Sequence, residues 1–387
     1  MSKQYLNSTV QELSSCLLWD FFNLAKATPG AISLSVGEPD FPTPWHIREE
    51  GIYSIEKGRT WYSPSYGLKQ LREEICRYYE RRLGVSAYDA DNCIVTVGVS
   101  EAIDLATRAV LDPGDEVIVC DPGYVAYEPS VLLARAVPVR LPLKEEEHFK
   151  VTPEALNAVI TPKTKMIILN YPSNPTGGIM TRADYEKIIP ILKEHHLVIV
   201  ADEIYIELTY DAKPYSIANF AEIRDQLILV NGFSKAYSMT GWRLGYCLAD
   251  PDIISAMNNI HQYSVMSPST ISQYAGLEAI AKGDADIETH RESFKARRNY
   301  VVAQLNKMGL HTPMPEGAFY VFPNISSTGL KSFEFCTRLL KEAKVAIIPG
   351  NAFGPSGEGF ARISYAYSLD ELKTSLDRIR EFLKQFQ

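Results

Sequence analysis

The sequence predicts an α/β protein: a mostly parallel sheet covered by helices, joined to a smaller α+β unit. Three observations carry this. The runs EVIVC (116–120), KMIIL (165–169), LVIVA (197–201) and LILV (227–230) are apolar on both faces, as strands buried between two helical layers are. Helical patterns lie between them. After about residue 285 the pattern changes to long charged helical stretches alternating with short strand-like runs. A chain of 387 residues also exceeds what one simple core serves. The expected division is a large domain over 46–284 and a small domain built from 1–45 and 285–387.

In chain order, the segment before Pro44 is too short to fold alone and is expected to pack on the C-terminal unit. Leu68, Leu71, Ile75, Tyr78 and Arg82 recur at three- and four-residue spacing, a helix that Gly84 ends. Thr96-Val97-Gly98-Val99-Ser100-Glu101 reads as a strand-to-helix turn. Thr152-Pro153-Glu154 opens a helix with cap, proline and acid in order, and Thr181 opens another that runs to His195. His195-His196 belong to its solvated end. Helical stretches at 285–308, 332–343 and 369–385 then alternate with AFYVF (318–322), VAIIP (345–349) and ARISY (361–365). The glycines of GNAFGPSGEG (350–359) do not complete G-x-G-x-x-G, so this segment reads as a loop.

Composition excludes several classes. A net charge of −8 argues against a nucleic-acid partner, which needs a basic face. The polar N-terminus lacks the apolar stretch of a signal peptide, and no apolar run approaches the ~18 residues that span a bilayer. Six scattered cysteines (16, 76, 93, 120, 247 and 336), without C-x-x-C or zinc spacing, read as reduced and mostly buried thiols. A cytoplasmic protein without a metal site is expected.

In open α/β sheets, ligands sit beyond the carboxyl ends of the strands, so the residues after each apolar run matter most. KMIIL is followed by Asn170-Tyr171-Pro172-Ser173-Asn174-Pro175-Thr176-Gly177-Gly178, a stiff loop presenting Asn174. LVIVA leads to Asp202-Glu203-Ile204-Tyr205, LILV to Gly232-Phe233-Ser234-Lys235, and EVIVC to Asp121-Pro122-Gly123-Tyr124. Free amides at the Gly98 turn could hold a phosphate. Taken singly, Lys235 is a turn lysine, Asp202 a helix cap and Arg243 half of an ion pair. Together, an amine, a carboxylate, a flat aromatic and a phosphate cradle point to pyridoxal 5′-phosphate. Its aldehyde needs a lysine, its ring nitrogen an anion, and its phosphate amides with a fixed cation such as Arg243.

The stretch GFSKAYSMTGWRLG (232–245) resembles, position by position, the lysine-attachment signature of the class I/II aminotransferases, the fold-type I pyridoxal-phosphate enzymes. N-P-T-G at 174–177, D-x-x-Y at 202–205, G-E-P-D at 37–40 and Arg362 in FARISYA fall in that family's order. The resemblance covers essentially the whole chain. It is similar in particular to the subgroup of aspartate, aromatic and N-acetyl-diaminopimelate aminotransferases.

The resemblance implies the following roles. Lys235 binds the cofactor covalently and then moves a proton at the substrate. Asp202 pairs with the ring nitrogen, Asn174 and Tyr205 meet the ring's phenolate oxygen, and Tyr124 stacks on its face. Gly98, Val99, Ser100, Ser234 and Arg243 hold the phosphate, with Tyr62 reaching across from a partner subunit, so a homodimer is implied. Arg362 clamps the substrate α-carboxylate, helped by Asn174 and the backbone at Gly37. Two departures stand out: Gly232 replaces a serine frequent in the family, and Ser100 replaces the lysine that reads the distal carboxylate in aspartate enzymes of the subgroup. The expected amino donor is broad, aromatic or aspartate-like, and an apolar entrance from Leu17, Leu18 and Trp19 with the second departure favours a broad or aromatic one, with 2-oxoglutarate as acceptor in a ping-pong reaction. The alternatives are a pyridoxal-phosphate carbon–sulfur β-lyase on the same scaffold and a non-catalytic regulator. A regulator would carry an appended DNA-binding domain and would be expected to lose Lys235 or Asp202.

Overall fold

The computed structural model describes residues 5–13 and 17–386, so Cys16 lies outside the described residues. Twelve strands are found among them: β1 (Ile32–Ser33), β2 (Cys93–Thr96), β3 (Glu116–Asp121), β4 (Val137–Pro142), β5 (Thr164–Asn170), β6 (Val198–Asp202), β7 (Leu227–Gly232), β8 (Gly245–Leu248), β9 (Tyr320–Val321), β10 (Val345–Ala346), β11 (Ile348–Pro349) and β12 (Ala361–Ser364). Seven of them form one sheet in the order β2-β8-β7-β6-β5-β3-β4. Every pairing in it is parallel except those of β8, which runs antiparallel to both β2 and β7.

The two-faced apolar runs explain this sheet. Ile167, Leu169, Ile199, Ala201, Leu227 and Leu229 point into one core, while Met166, Ile168, Val200, Ile228 and Val230 point into a second on the opposite face. Side chains alternate across a strand, so both faces must be apolar when helices cover both. Each fully buried branched residue contributes about 1.5–3 kcal/mol, so a site at the edge of this sheet stands on a well-buried core.

The helices start and stop where the sequence signals them. Thr181 caps Arg182–Glu194 in a reciprocal box with Asp184, and His195 closes that helix. Thr152 caps Pro153–Asn157. Gly84, at φ 71°, ends the stretch that begins at Lys69. Five described cysteines are free thiols, four of them buried and Cys120 half-buried.

The C-terminal strands are shorter than their apolar runs. AFYVF yields only β9, and VAIIP splits at Ile347 into two pieces that serve different partners. β10 pairs in parallel with β1, tying the N-terminal segment to the C-terminal part of the chain, while β11 pairs with β12 and β12 with β9. One strand cannot satisfy two sheets of different direction without a break, and sequence pattern does not reveal which neighbours a strand will have.

A second tie joins the early chain to later helices. His46 lies 3.0 Å from Glu278 and 3.0 Å from Asp286. Burial by itself lowers the imidazole pKa, but the two carboxylates outweigh it and raise the value above 6.5. The resulting stabilisation is complete below the unfolded value and disappears as pH rises through the raised one. His46→Gln is therefore expected to cost on the order of 0.5 kcal/mol per lost ion pair at pH 5.5 and distinctly less at pH 8.5. Thermal melts at the two pH values check this; an equal loss at both would remove the electrostatic account.

Candidate active site

The carboxyl ends of β5, β6 and β7 are in register, with Asn170 opposite Asp202 and Asp202 opposite Val230. Residues that leave these ends emerge side by side. Asn170 Nδ2 donates to the Asp202 carbonyl at 3.0 Å, and Asn170 Oδ1 accepts the Asn174 amide at 3.0 Å. The stiff loop after β5 is thereby pinned, and Asn174 Oδ1 accepts from Arg362 Nη1 at 2.9 Å.

Arg362 comes from β12 and is 2% exposed. Its Nη2 donates to the Ser35 carbonyl at 2.5 Å, its guanidinium lies 4.5 Å from the Tyr320 ring centre, and its Nε is buried without a hydrogen-bond partner among the described residues. Tyr320, from β9, shares a hydroxyl hydrogen bond of 2.8 Å with Tyr205. The same hydroxyl presses on Gly37: a Cβ there would lie 2.0 Å from it, so no larger residue fits without moving Tyr320. The Gly37 carbonyl in turn accepts a hydrogen bond from Lys235 Nζ at 2.6 Å. Lys235, half-buried, sits 5.9 Å from the ring centres of Tyr205 and Phe319.

Asp202 is buried, and both its oxygens are engaged: the Tyr127 hydroxyl donates to Oδ2 at 2.8 Å and the Ile204 amide to Oδ1 at 3.1 Å. Burial pushes its pKa up to about 6, while Tyr127, the Ile204 amide and the Lys235 cation pull the other way. The group is therefore mainly ionised at neutral pH. Its neighbour Glu203 is driven by burial to about 8 and is mainly neutral, so this strand end carries one negative charge rather than two. Burial also pushes Lys235 down to about 8; Glu38 and Asp202 oppose this, and the Arg362 and Arg243 cations add to it. A depressed amine beside an ionised acid is a pair whose protonation states have been tuned by environment.

Gly98 opens the helix Gly98–Val110 at φ 76°, and a Cβ on it would come within 2.7 Å of Arg243 Nη2. Arg243 follows the turn Thr240–Trp242 and lines a cleft of about 660 Å³ with Glu38, Thr43, Val97 and Thr240. Val99 and Ser100 occupy the same helix start, Ser100 facing solvent, while Ser234 is buried. Tyr124 is half-buried and edge-on to Tyr127 at 5.5 Å.

Lys235, Asp202, Asn174, Tyr205, Gly37 and Arg362 thus form one connected cluster, with Tyr124 beside it through Tyr127, while Arg243 and Gly98 form a second pair. Tyr62 does not join them within this chain; it is 78% exposed. Trp19 is also exposed, packed edge-on to Phe22, and Leu17 and Leu18 are half-buried against the main core. Three members of the cluster were not singled out from sequence. Asn170 was within reach of the strand-end rule, being the first residue past KMIIL. Tyr127 and Tyr320 were not, because each looks like one more packing tyrosine in a chain with 22 of them.

The donor set suits a phosphorylated aldehyde carried on a heterocycle. It offers one amine of lowered pKa, one ionised buried acid, and a glycine turn that only a residue without a side chain can bring against a guanidinium.

Residues 29–379 match the family model described as aminotransferase class I and II. The chain is 45% identical to the putative aminotransferase YugH of Bacillus subtilis, over 98% of each chain. It is 41% identical to aromatic-amino-acid aminotransferase 2 of Thermococcus litoralis over 94% of each. Among solved structures, the aspartate aminotransferase of Thermus thermophilus with maleate aligns with a TM-score of 0.92 at 35% identity, covering 97% of this chain and 99% of that one. Neither the β-lyase nor the regulator gains support from these relatives. A family match across nearly the whole length, on a sheet that brings the signature residues to one end, makes this chain an aminotransferase of the class I and II family.

Proposed function

We propose that the chain transfers the amino group of an L-amino acid to 2-oxoglutarate in two half-reactions of a ping-pong cycle, with pyridoxal 5′-phosphate as cofactor. The observation that carries this reading is the amine of Lys235 and the acid of Asp202, tuned towards neutral pH in one connected cluster with Arg362. When bound, the cofactor supplies an aldehyde that takes up amino groups and a ring that accepts the electrons of the Cα–H bond.

The chain's own residues supply the rest. Lys235 would anchor the cofactor and, once freed, would take the proton from Cα and deliver it to the carbon that bore the aldehyde. Asp202 stays ionised to hold the ring nitrogen charged. Asn174, Tyr205 and Tyr124 hold the ring, and Gly98, Val99, Ser100, Ser234 and Arg243 hold the phosphate. Arg362 receives the α-carboxylate on a fork already braced by Asn174 and Ser35, beside the Gly37 backbone.

Segments 1–45 and 285–387 act as one small domain against 46–284; the β1–β10 pairing supports this. A homodimer completes each site with the partner subunit's Tyr62. In support, Trp45, Ile55, Trp61 and Tyr62 lie exposed along the helix Trp45–Glu56 and the loop that follows. None of the described helices is long and apolar enough to cross a membrane, and we place the protein in the cytoplasm. Relatives named for aromatic amino acids, N-acetyl-LL-diaminopimelate and aspartate frame the donor range. Ser100, with no cation to offer a distal carboxylate, points to aromatic or broad use.

A panel of amino donors with 2-oxoglutarate, followed by the loss of the cofactor's yellow absorbance, tests cofactor, reaction and range together. A hundredfold preference for aspartate over phenylalanine, tyrosine and methionine would refute the donor range. Release of pyruvate and ammonia from cystathionine without an oxo acid would refute transamination. Arg362→Lys is expected to raise donor KM roughly a hundredfold with a smaller change in kcat, because a single ammonium cannot form two parallel bonds and strands the Asn174 and Ser35 acceptors. Steady-state kinetics decide; an unchanged KM would exclude the carboxylate role.

A further inference from the structure

The start of the helix Gly98–Val110 carries an acidic side chain of its own. Glu101 Oε2 accepts the Val97 amide at 2.5 Å, and Glu101 Oε1 lies 3.0 Å from Nδ1 of His261, on the helix Pro251–Ser264. His261 is fully buried, and its Nε2 has no hydrogen-bond partner among the described residues. An ionised carboxylate only accepts, so Nδ1 carries the proton in this bond. The imidazole leaves one ring nitrogen unsatisfied in the interior while its other nitrogen holds Glu101, a cost that simple packing would not require.

The amides of a helix's first turn have no partners within the helix and attract any nearby anion. A carboxylate in that turn competes with a phosphate for them. Here the carboxylate is drawn to the Val97 amide, on the near side of Gly98, and is held there by the imidazole. The rest of the turn is rigid. A Cβ on Gly245 would lie 2.7 Å from the Val99 amide nitrogen, and one on Gly232 would lie 3.2 Å from Val99 Cγ2, so β7 and β8 press directly beneath it. Arg243 lies against its first residue, Gly98, where a Cβ would come within 2.7 Å of Nη2.

We propose that His261 is a positioning residue for the phosphate turn: by holding Glu101 on the Val97 amide, it keeps the amides of Gly98, Val99 and Ser100, together with Arg243, available to the phosphate of the cofactor. This inference rests on the pyridoxal-phosphate reading above. It concerns recognition of the phosphate, not of the ring.

The test compares equilibrium binding of pyridoxal 5′-phosphate and of unphosphorylated pyridoxal to the ligand-free full-length protein, followed by absorbance. His261→Ala is expected to reduce the preference for the phosphorylated form about tenfold, the scale of one charge at a helix start, with pyridoxal binding unchanged. Adding Glu101→Gln to His261→Ala removes the competing charge but keeps an acceptor for Val97, and is expected to restore the preference to within about threefold. Equal weakening of both ligands by His261→Ala, or no recovery in the double variant, overturns the proposal. If His261→Ala does not fold, Glu101→Gln alone decides: a preserved or stronger preference agrees, and a fall overturns it. If the unsubstituted protein does not prefer the phosphorylated form, the cofactor reading itself fails, an outcome distinct from the others.

Discussion

Replacing Lys235 with alanine is expected to lower the rate of the amino-donor half-reaction roughly ten-thousand-fold, the upper end of what a positioned proton-transfer group supplies. The substitution removes a half-buried amine held 2.6 Å from the Gly37 carbonyl and leaves the other members of the cluster joined to one another. Cofactor binding through the ring and phosphate contacts should survive, so the variant should take up cofactor and then stall. Lys235→Arg should not rescue it. A guanidinium stays charged at any accessible pH, whereas the lysine, at about 8, is uncharged often enough near neutrality to accept a proton. Single-turnover absorbance with a good amino donor measures the step. A variant that turned over at the normal rate would remove Lys235 from the chemistry, and borohydride labelling of a different peptide in the loaded protein would do the same.

Asp202→Asn is expected to separate activity from stability. Activity should fall roughly a thousandfold, the size of losing one preorganised charge-stabilising group. Stability should move the other way. The folded pKa of about 6 lies above the ordinary 3.8, so the contribution of this group is complete below 3.8 and is lost as pH rises through 6. At pH 7.5 the buried carboxylate is a net cost, on the order of 3 kcal/mol. An amide carries no charge to desolvate, and the Tyr127 hydroxyl can accept from its NH₂ where it donated to the carboxylate. The ligand-free variant should therefore melt at or above the temperature of the parent at pH 7.5 and lose that advantage at pH 4.5. A melting temperature several degrees lower at pH 7.5 would show that the bonds to Tyr127 and Ile204 outweigh the burial cost.

Most of the central sheet was legible in the chain. EVIVC, KMIIL, LVIVA and LILV became β3, β5, β6 and β7 because a strand apolar on both faces has few other places to go. The placement of Lys235, Asp202 and Asn174 at one end of the sheet was legible for the same reason, since Asp202 ends β6 and the other two lie within four residues of the ends of β7 and β5. The N-terminal and C-terminal parts were less so. Nothing in VAIIP foretells that Val345–Ala346 will pair with Ile32–Ser33 while Ile348–Pro349 turns to β12.

By itself, then, the sequence determined the sheet, its helices and the chemical types gathered at its edge, because those follow from local period, capping and adjacency to apolar runs. Only the tertiary structure decided how these groups are wired and tuned. That Tyr127 reaches Asp202 across 75 residues, that Tyr320 bridges Tyr205 to Gly37, that Arg362 is braced by Asn174 and Ser35, and that His261 holds Glu101 are matters of long-range contact. The shifts that bring Asp202 towards 6 and Lys235 towards 8 arise from burial, and burial belongs to the folded chain as a whole.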